Sequence, residues 1–159
     1  MAASSSYTIS PKKYDVFLSF RGQDTRDNIT SHLHAALERA KLETYIDNRL
    51  ERGEGISPEL QKAIEHSKLS VIVFSKGYAN SSWCLNELVH ILQCKEKYRQ
   101  FVVPIFYHVD PSHVRKQEGS FETALSTLEE RYEDKKMNEW RAALTASANI
   151  AGWDSHTIR

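Results

Sequence analysis

The sequence contains few cysteines and no long apolar stretch. Cys84 and Cys94 are the only 2 cysteines among 159 residues, which excludes a disulfide scaffold and favours a reduced, cytosolic protein. No apolar run approaches the ~20 residues of a membrane-spanning helix, and no hydrophobic signal core follows Met1. We therefore expect a cytoplasmic or nucleocytoplasmic protein that has no membrane partner.

The chain also lacks an excess of charge of either sign. Lys plus Arg and Asp plus Glu both number 21, so the formal net charge is zero. No global field then draws the protein onto nucleic acid or an anionic surface, and we do not expect nucleic acid as a partner. A length of 159 residues with 40% hydrophobic content suits one globular domain.

Apolar runs alternate with helical patterns along most of the chain. The Ser-rich residues 1–11 are interpreted as a flexible leader, followed by one domain at 12–159. Strands are predicted at 14–20, 44–46, 69–74 and 101–107. Helices are predicted at 29–40, 57–66, from 82 onward, 121–132 and 137–150. This alternation predicts an α/β fold with a parallel sheet and helices on both faces.

Two connections and one proline complete this outline. Residues 47–56 are charged and contain two glycines, so we predict a mobile surface loop there. Residues 108–120 are predicted to form a polar loop. Pro104 lies within a predicted strand, and its missing N–H favours a position near the sheet edge or a bulge.

The residues that follow the predicted strands exclude several nucleotide-binding classes. Residues 21–25 supply neither a P-loop nor a GxGxxG motif. A receiver domain needs an acidic cluster at the first and third strand ends, where this chain has Phe20-Arg21 and Ser75-Lys76. These ends still lie at the carboxyl edge of the sheet, where open α/β sheets bind ligands. Together with Glu87 they suggest a nucleotide pocket with one acidic residue.

Trp83 and Glu87 lie one turn apart on a predicted helix, so they share a face. The apolar stripe of Leu85, Leu88, Val89 and Leu92 occupies the other face. An exposed indole beside an exposed carboxylate would stack on a base or nicotinamide ring while the acid holds the sugar. Spacing alone favours the alternative, in which Trp83 packs under a loop and Glu87 is solvated.

Two other candidates on this helix are interpreted as structural. Glu87, His90 and Cys94 have helical spacing, but no fourth ligand follows at a suitable distance, so we expect no metal site. Cys84 is interpreted as a small buried hydrophobic residue rather than a nucleophile.

Five separated motifs resemble one family. They read YDVFLSFRGxDTR at 14–26, SPEL at 57–60, YAxSSWCLxEL at 78–88, PIFYxVxPxxVR at 104–115 and ANIAGW at 148–153. In this order the motifs resemble the Toll/interleukin-1 receptor (TIR) domain of plant TIR-type NLR disease-resistance proteins. The resemblance implies a flavodoxin-like three-layer sandwich with strand order 2-1-3-4-5. The family continues into a final amphipathic helix, which we expect to be absent because the chain stops at Arg159.

The resemblance also implies a function. It implies cleavage of NAD+ or NADP+ at the nicotinamide glycosidic bond, activated by self-association, with the nucleotide as substrate and no permanently bound cofactor. The products, of cyclic ADP-ribose type, would act through downstream lipase-like signalling proteins in plant innate immunity and cell death. One carboxylate would suffice, because nicotinamide is a cationic pyridinium that departs neutral and needs no acid.

The resemblance assigns roles to particular residues. Glu87 is the catalytic residue, and a second activity, synthesis of 2′,3′-cyclic nucleotides from nucleic acid, is linked to Cys84. Self-association surfaces are implied at Ser31 and His32 and at Gly119. The nucleotide pocket is implied to consist of Phe20, Arg21, Gly22, Gln23, Asp24, Thr25, Gly53 and Trp83.

Two other functions stay open. One is a non-catalytic TIR–TIR interaction module, against which the presence of Glu87 argues. The other is a nucleic-acid-processing assembly, which the zero net charge disfavours.

Overall fold

The computed structural model describes residues 13–46 and 56–150 and the backbone of 153–154. The predicted leader at 1–11 and all but the last residue of the predicted loop at 47–56 lie outside the described residues, and so does Gly53. The expectation about a final helix is likewise not tested by the described residues.

The described strands form a five-stranded parallel sheet in the order β2-β1-β3-β4-β5. They are β1 Tyr14–Ser19, β2 Thr44–Ile46, β3 Ser67–Phe74, β4 Phe101–Phe106 and β5 Trp153–Asp154. The nearly unbroken apolar run of β3 suits its central position, because a central strand of a parallel sheet is covered on both faces. The predicted flavodoxin-like strand order is confirmed.

Helices connect these strands. They are α1 Gly22–Thr25, α2 Ile29–Arg39, α3 Pro58–Glu65, α4 Ser82–Tyr98, α5 Pro111–Lys116, α6 Ser120–Glu129 and α7 Asp134–Ala148, with a 3-10 turn at Tyr78–Asn80. Ser57 caps α3 by accepting a hydrogen bond from the Leu60 N–H at 3.2 Å, and Ser81 caps α4 through the Cys84 N–H at 3.1 Å. Within the described ranges, no helix combines the length and apolarity that crossing a membrane requires.

The prediction of a continuous polar loop over residues 108–120 was wrong, because helix α5 lies within it. Asp110 caps this helix by accepting from the Ser112 N–H at 2.9 Å, and Pro111 supplies the first helical residue. The Ser112 N–H, followed by the Ser112 hydroxyl, lowers the pKa of the Asp110 carboxyl below its ordinary value. Val114 is buried and ties the helix to the core.

Pro104 lies in β4, which is second from the sheet edge, as its missing N–H suggested. Its backbone pairs in register with Ile72 of β3. On the other side, the described residues of β5 pair in register with Ile105 and Phe106.

The sheet divides the core into two layers, because successive side chains of a strand point to opposite faces. On one face, α2 packs through Ile29, Leu33 and Leu37 against buried strand residues that include Val16 and Val71. The other face carries the larger cluster, which is covered by α3, α4, α6 and α7. Its largest fully buried side chains include Trp140, Tyr78, Phe17, Phe74 and Phe121. The three-layer sandwich is confirmed.

We expect Leu60→Ala to lower the free energy of unfolding by about 2–5 kcal/mol, since it leaves a cavity beneath α3. Leu60 is 0% exposed. Leu42→Ala is the matched control, because Leu42 is 36% exposed and should change stability by no more than about 0.5 kcal/mol. Urea unfolding monitored by circular dichroism measures both. Equal effects of the two substitutions would contradict the assignment of Leu60 to the core.

Candidate nucleotide-binding site

The carboxyl ends of β1, β3 and β4 meet at one edge of the sheet, which is the position where open α/β sheets bind ligands. Helix α1 follows β1, residues 75–77 follow β3, and Tyr107 and His108 follow β4. Helix α4 joins this edge near its first turn, because Ser19 of β1 contacts Glu87 of α4. Residues from four parts of the chain therefore form the candidate site.

Glu87 lies buried at this edge, with its carboxylate bound on both oxygens. Its side chain is only 4% exposed. The Trp83 indole N–H donates to Oε2 at 2.8 Å, and the Ser19 hydroxyl donates to Oε1 at 3.0 Å. A buried carboxylate is stable only with such charge-assisted hydrogen bonds.

This geometry corrects the expected exposure of the pair. Glu87 is buried, whereas both interpretations of the sequence placed it in solvent. Ser19 of β1 donates a hydrogen bond to its carboxylate. Trp83 is half-buried. The placement of the two side chains on one helix face is confirmed by their hydrogen bond. On the sheet side, Leu85 and Leu88 are fully buried, and Val89 and Leu92 are partly buried against the core.

Arg21 and Asp24 form an ion pair that attaches α1 to the end of β3. Arg21 Nη1 lies 2.6 Å from Asp24 Oδ1, and Nη2 donates to the Gln23 side-chain oxygen at 2.8 Å. Asp24 Oδ2 accepts from the Ser75 hydroxyl at 2.6 Å and from the Gly77 N–H at 3.0 Å. The guanidinium expected to bind phosphate is therefore already paired inside the chain.

Gly77 lies very close to the ion pair, so a side chain at this position would displace Arg21 or Asp24. A Cβ at this position would lie 2.6 Å from Asp24 Oδ2 and 2.8 Å from Arg21 Nη1. These distances are shorter than any ordinary contact, so a larger residue would separate the ion pair from the backbone. Sequence reasoning did not select Ser75 or Gly77, although their place directly after a central strand was a usable signal.

A cavity of about 360 Å³ opens beside this ion pair, and its size is within the usual range of small-molecule pockets. Its lining includes one exposed cation, Lys76, and one acid, Asp24. The other lining residues carry aromatic rings or are small. The lining residues are Asp24, Ser75, Lys76, Gly77, Tyr107 and His108. Of these, only Asp24 belonged to the predicted pocket.

A larger groove of about 540 Å³ lies between α4 and α7, away from the strand ends. It is lined by Val89, Leu92, Gln93, Glu96, Lys97, Glu139 and Ala143. We take the smaller cavity as the candidate ligand site, because Asp24 and the residues that follow β3 and β4 line it at the carboxyl edge of the sheet.

The other predicted pocket residues have structural contacts of their own. Phe20 is buried, and the Arg26 guanidinium lies over its ring at 5.0 Å from the centroid. Thr25 is buried with its hydroxyl 2.8 Å from that of Thr30, which joins α1 to α2. Gly22 lies close to Arg26, since a Cβ there would be 2.9 Å from Arg26 Nη2. Gln23 is exposed. Ligand binding by these residues stays a prediction.

The remaining candidates separate into buried and exposed residues. Cys84 is 1% exposed, with its thiol 3.5 Å from the Phe20 carbonyl oxygen, as a small buried residue should be. Ser31 and His32 are exposed on α2, and Gly119 is exposed just before α6 with a φ of 61°. Their role in self-association stays a prediction.

His90 and Cys94, two of the residues considered as metal ligands, lie near each other on α4. His90 Nε2 lies 3.3 Å from Glu65 Oε2 and 3.7 Å from Cys94 Sγ. In the part of the chain that the structure describes, no group of three or more His, Cys, Asp or Glu side chains is arranged to hold a metal ion.

The strand order of the parallel sheet and the helices on both of its faces define the flavodoxin-like α/β class. The sequence profile of the TIR domain matches residues 13–159. This chain therefore belongs to the TIR domain family.

Known relatives include plant disease-resistance proteins. The chain is 59% identical over 155 residues to Disease resistance protein RPV1 of Vitis rotundifolia, covering 96% of the chain and 11% of that protein. It is 52% identical over 155 residues to TMV resistance protein N of Nicotiana glutinosa, covering 96% and 13%. The chain thus spans about an eighth or less of the length of these relatives.

Among solved structures, the chain is similar to the TIR domains of the activated Roq1 resistosome, which directly recognises the pathogen effector XopQ. The TM-score is 0.83 at 48% identity, and the match covers 91% of this chain and 89% of that one.

We expect Asp24→Ala to lower the free energy of unfolding by about 1–3 kcal/mol, because Arg21, Ser75 and Gly77 lose their shared acceptor. Asp27→Ala is the matched control, since Asp27 is exposed a few residues further along the same segment. Urea unfolding of both variants gives the comparison. A loss of stability in the control as large as that of Asp24→Ala would exclude a specific anchoring role.

Proposed function

We propose that this TIR domain is an NAD+ or NADP+ nucleosidase that self-association activates. The observation that carries the proposal is the buried carboxylate of Glu87 at the carboxyl edge of the sheet, beside the half-buried indole of Trp83. No resident cofactor is proposed, because the nucleotide is the substrate.

The chemistry requires one carboxylate rather than two. Ordinary glycosidases need a general acid because their leaving group departs as an alkoxide. Nicotinamide leaves as a neutral molecule, so the enzyme has only to orient the ribose and stabilise positive charge developing at its anomeric carbon. Glu87 would accept hydrogen bonds from the ribose hydroxyls and supply negative charge in a poorly solvated position, where an electrostatic interaction is strong.

The two charged groups proposed to bind the nucleotide, Glu87 and Arg21, already have partners inside the single chain. Glu87 accepts from Trp83 and Ser19, and Arg21 is bound to Asp24. A nucleotide that used the Glu87 carboxylate and the Arg21 guanidinium would have to exchange with these internal partners. The free energy for that exchange would come from contacts between neighbouring domains, which favour the substrate-binding conformation. This arrangement supports a domain that is inactive alone.

Assembly is supported by the similarity to an activated resistosome. The TIR domains of that complex match this chain with a TM-score of 0.83. We propose that Ser31 and His32 on α2, and Gly119 before α6, contact neighbouring copies, because all three are exposed. Gly53, which lies outside the described residues, is proposed to complete the nucleotide pocket.

The biological role follows from the relatives. Because relatives of this chain are plant disease-resistance proteins, we propose that its products are nucleotide signals of the cyclic ADP-ribose type in innate immunity. They would lead to cell death through lipase-like signalling proteins in the cytoplasm or nucleocytoplasm. A second, Cys84-dependent activity on nucleic acid is disfavoured, because Cys84 is buried, with 1% of the residue exposed.

We expect Glu87→Gln to lower NAD+ turnover by about 100- to 1000-fold, because it removes the charge that stabilises the transition state. NAD+ consumption should be measured by chromatography at high protein concentration with a crowding agent. Glu96→Gln is the matched control, since Glu96 is exposed on the same helix.

Full turnover in Glu87→Gln would refute the proposed catalytic role. A wild-type protein that self-associates without consuming NAD+ or NADP+ would instead identify a non-catalytic interaction module. Urea unfolding of each variant should accompany the assay, so that loss of activity is separated from loss of fold.

We expect His32→Ala to weaken self-association and to move half-maximal turnover to a higher protein concentration, because His32 lies exposed on the proposed interface. His34→Ala is the matched control. His34 lies about 200° around the same helix, where its Nε2 is 3.4 Å from Glu38 Oε2. Sedimentation velocity and turnover across a concentration series measure both effects. Unchanged association in His32→Ala would remove this residue from the interface.

A further inference from the structure

A chain of hydrogen bonds leads from Glu87 into the protein core. The Ser19 hydroxyl donates to Glu87 Oε1 at 3.0 Å and lies 2.8 Å from the Tyr78 hydroxyl. Tyr78 also lies within hydrogen-bond distance of the Cys84 carbonyl oxygen, at 3.2 Å. Ser19 and Tyr78 are both 0% exposed. The Oε1 side of the carboxylate is thus held by groups that do not reach solvent.

The Tyr78 hydroxyl carries one hydrogen and lies near the Ser19 and Cys84 oxygens, two acceptors in the described part of the chain. The distance to Ser19 Oγ is 2.8 Å and that to the Cys84 oxygen is 3.2 Å, so the serine is the closer partner. When Tyr78 donates to Ser19, the serine hydrogen is directed to Glu87. Hydrogen bonds that follow one another in this sense polarise and strengthen each other. The final bond, to a carboxylate, is charge-assisted.

Tyr78 is itself fixed by its surroundings. Its ring packs edge-on against Phe74 with the ring centroids 5.0 Å apart. Its backbone N–H donates to the Ser75 carbonyl oxygen at 3.1 Å. Tyr78 therefore holds the Ser19 hydroxyl at a fixed position relative to the first turn of α4.

The two oxygens of Glu87 have different environments. Oε1 is bound by a fully buried serine, whereas Oε2 is bound by the indole of Trp83, which is only half-buried. Exchange of a partner for a substrate hydroxyl is easier on the side that solvent reaches. Oε1 is therefore the oxygen that keeps its partner, and Oε2 is the oxygen whose partner exchanges more easily.

We propose that Ser19 is a positioning residue for Glu87, that Tyr78 directs the Ser19 hydrogen bond, and that Oε2 is the oxygen that exchanges Trp83 for the substrate ribose. The proposal rests on the proposed nucleosidase function and adds the residues on which the orientation of Glu87 depends. By donating to Oε1, Ser19 favours the ionised form of the carboxylate and restrains its rotation.

The chain contains a matched control for Ser19 and another for Tyr78. Ser70 is buried on the neighbouring strand β3, and its hydroxyl has no hydrogen-bond partner in the described part of the protein. The same holds for the buried hydroxyl of Tyr132. Ser70→Ala and Tyr132→Phe therefore repeat the chemical changes of Ser19→Ala and Tyr78→Phe without touching Glu87.

The test measures the pH profile of kcat/KM for NAD+ and the NMR titration of the Glu87 carboxyl carbon. We expect Ser19→Ala to lower kcat/KM by about 10- to 100-fold, the loss of one hydrogen bond to a charged group. The acid limb and the carboxyl titration midpoint should move to higher pH, because the ionised form loses a donor. Tyr78→Phe should move both in the same direction by less, and the two controls should move neither.

Other titratable and charged groups remain constant in this comparison. Arg21, Asp24 and Lys76 lie at the same sheet edge, Tyr107 and His108 line its cavity, and Cys84 lies against the chain of hydrogen bonds. All of them are present in Ser19→Ala and in its control. A shift confined to Ser19→Ala and Tyr78→Phe is therefore attributable to the hydrogen bonds that reach Glu87.

Loss of activity in Ser19→Ala with an unmoved acid limb and titration midpoint would overturn the proposal and leave Ser19 a packing residue. An equal effect of Ser70→Ala would also overturn it. Absence of NAD+ turnover in the wild type would count against the nucleosidase function alone. In that case the carboxyl titration still decides whether Ser19 holds Glu87, since a midpoint that moves supports the contact and one that does not move refutes it.

Discussion

The burial of one carboxylate is the constraint on which the edge of this sheet depends. Glu87 is 4% exposed, and an ionised group in that position is costly unless hydrogen-bond donors surround it. The donors come from two elements, Ser19 of β1 and Trp83 of α4. These hydrogen bonds fix the position of the first turns of α4 relative to β1. The Glu87 carboxylate therefore has both donors only when the sheet and the helix are packed together.

A second charged group obeys the same rule. The Asp24 carboxylate accepts hydrogen bonds from the Arg21 guanidinium, the Ser75 hydroxyl and the Gly77 N–H. These contacts join α1 to the end of β3. Both charges of the proposed chemistry are thus satisfied within one chain. The proposed exchange of these internal partners for a nucleotide would therefore need other contacts to favour it. Activation by assembly is the regulatory behaviour expected of such pairing.

Local patterns predicted most elements of the fold, because strands and helices impose distinct periods on apolar residues. The strand Thr44–Ile46 and the start of α4 at Ser82 are confirmed as predicted. Helix α5 was missed because six residues with a single buried apolar side chain leave no periodic signal. Its Asp110 cap and Pro111 were readable, but such residues also occur in turns. The prediction that Trp83 and Glu87 share a helix face followed from their spacing of about one helical turn.

The sequence by itself determined the α/β class, the order of elements and one carboxylate on a helix that follows a central strand. Only the tertiary structure decided that this carboxylate is buried, that Arg21 is paired, and that Ser19, Tyr78, Ser75 and Gly77 belong to the site. The reason is physical. Periodicity is a property of neighbours along the chain, whereas a hydrogen bond between Ser19 and Glu87 joins residues 68 positions apart and depends on the register of a whole strand against a helix.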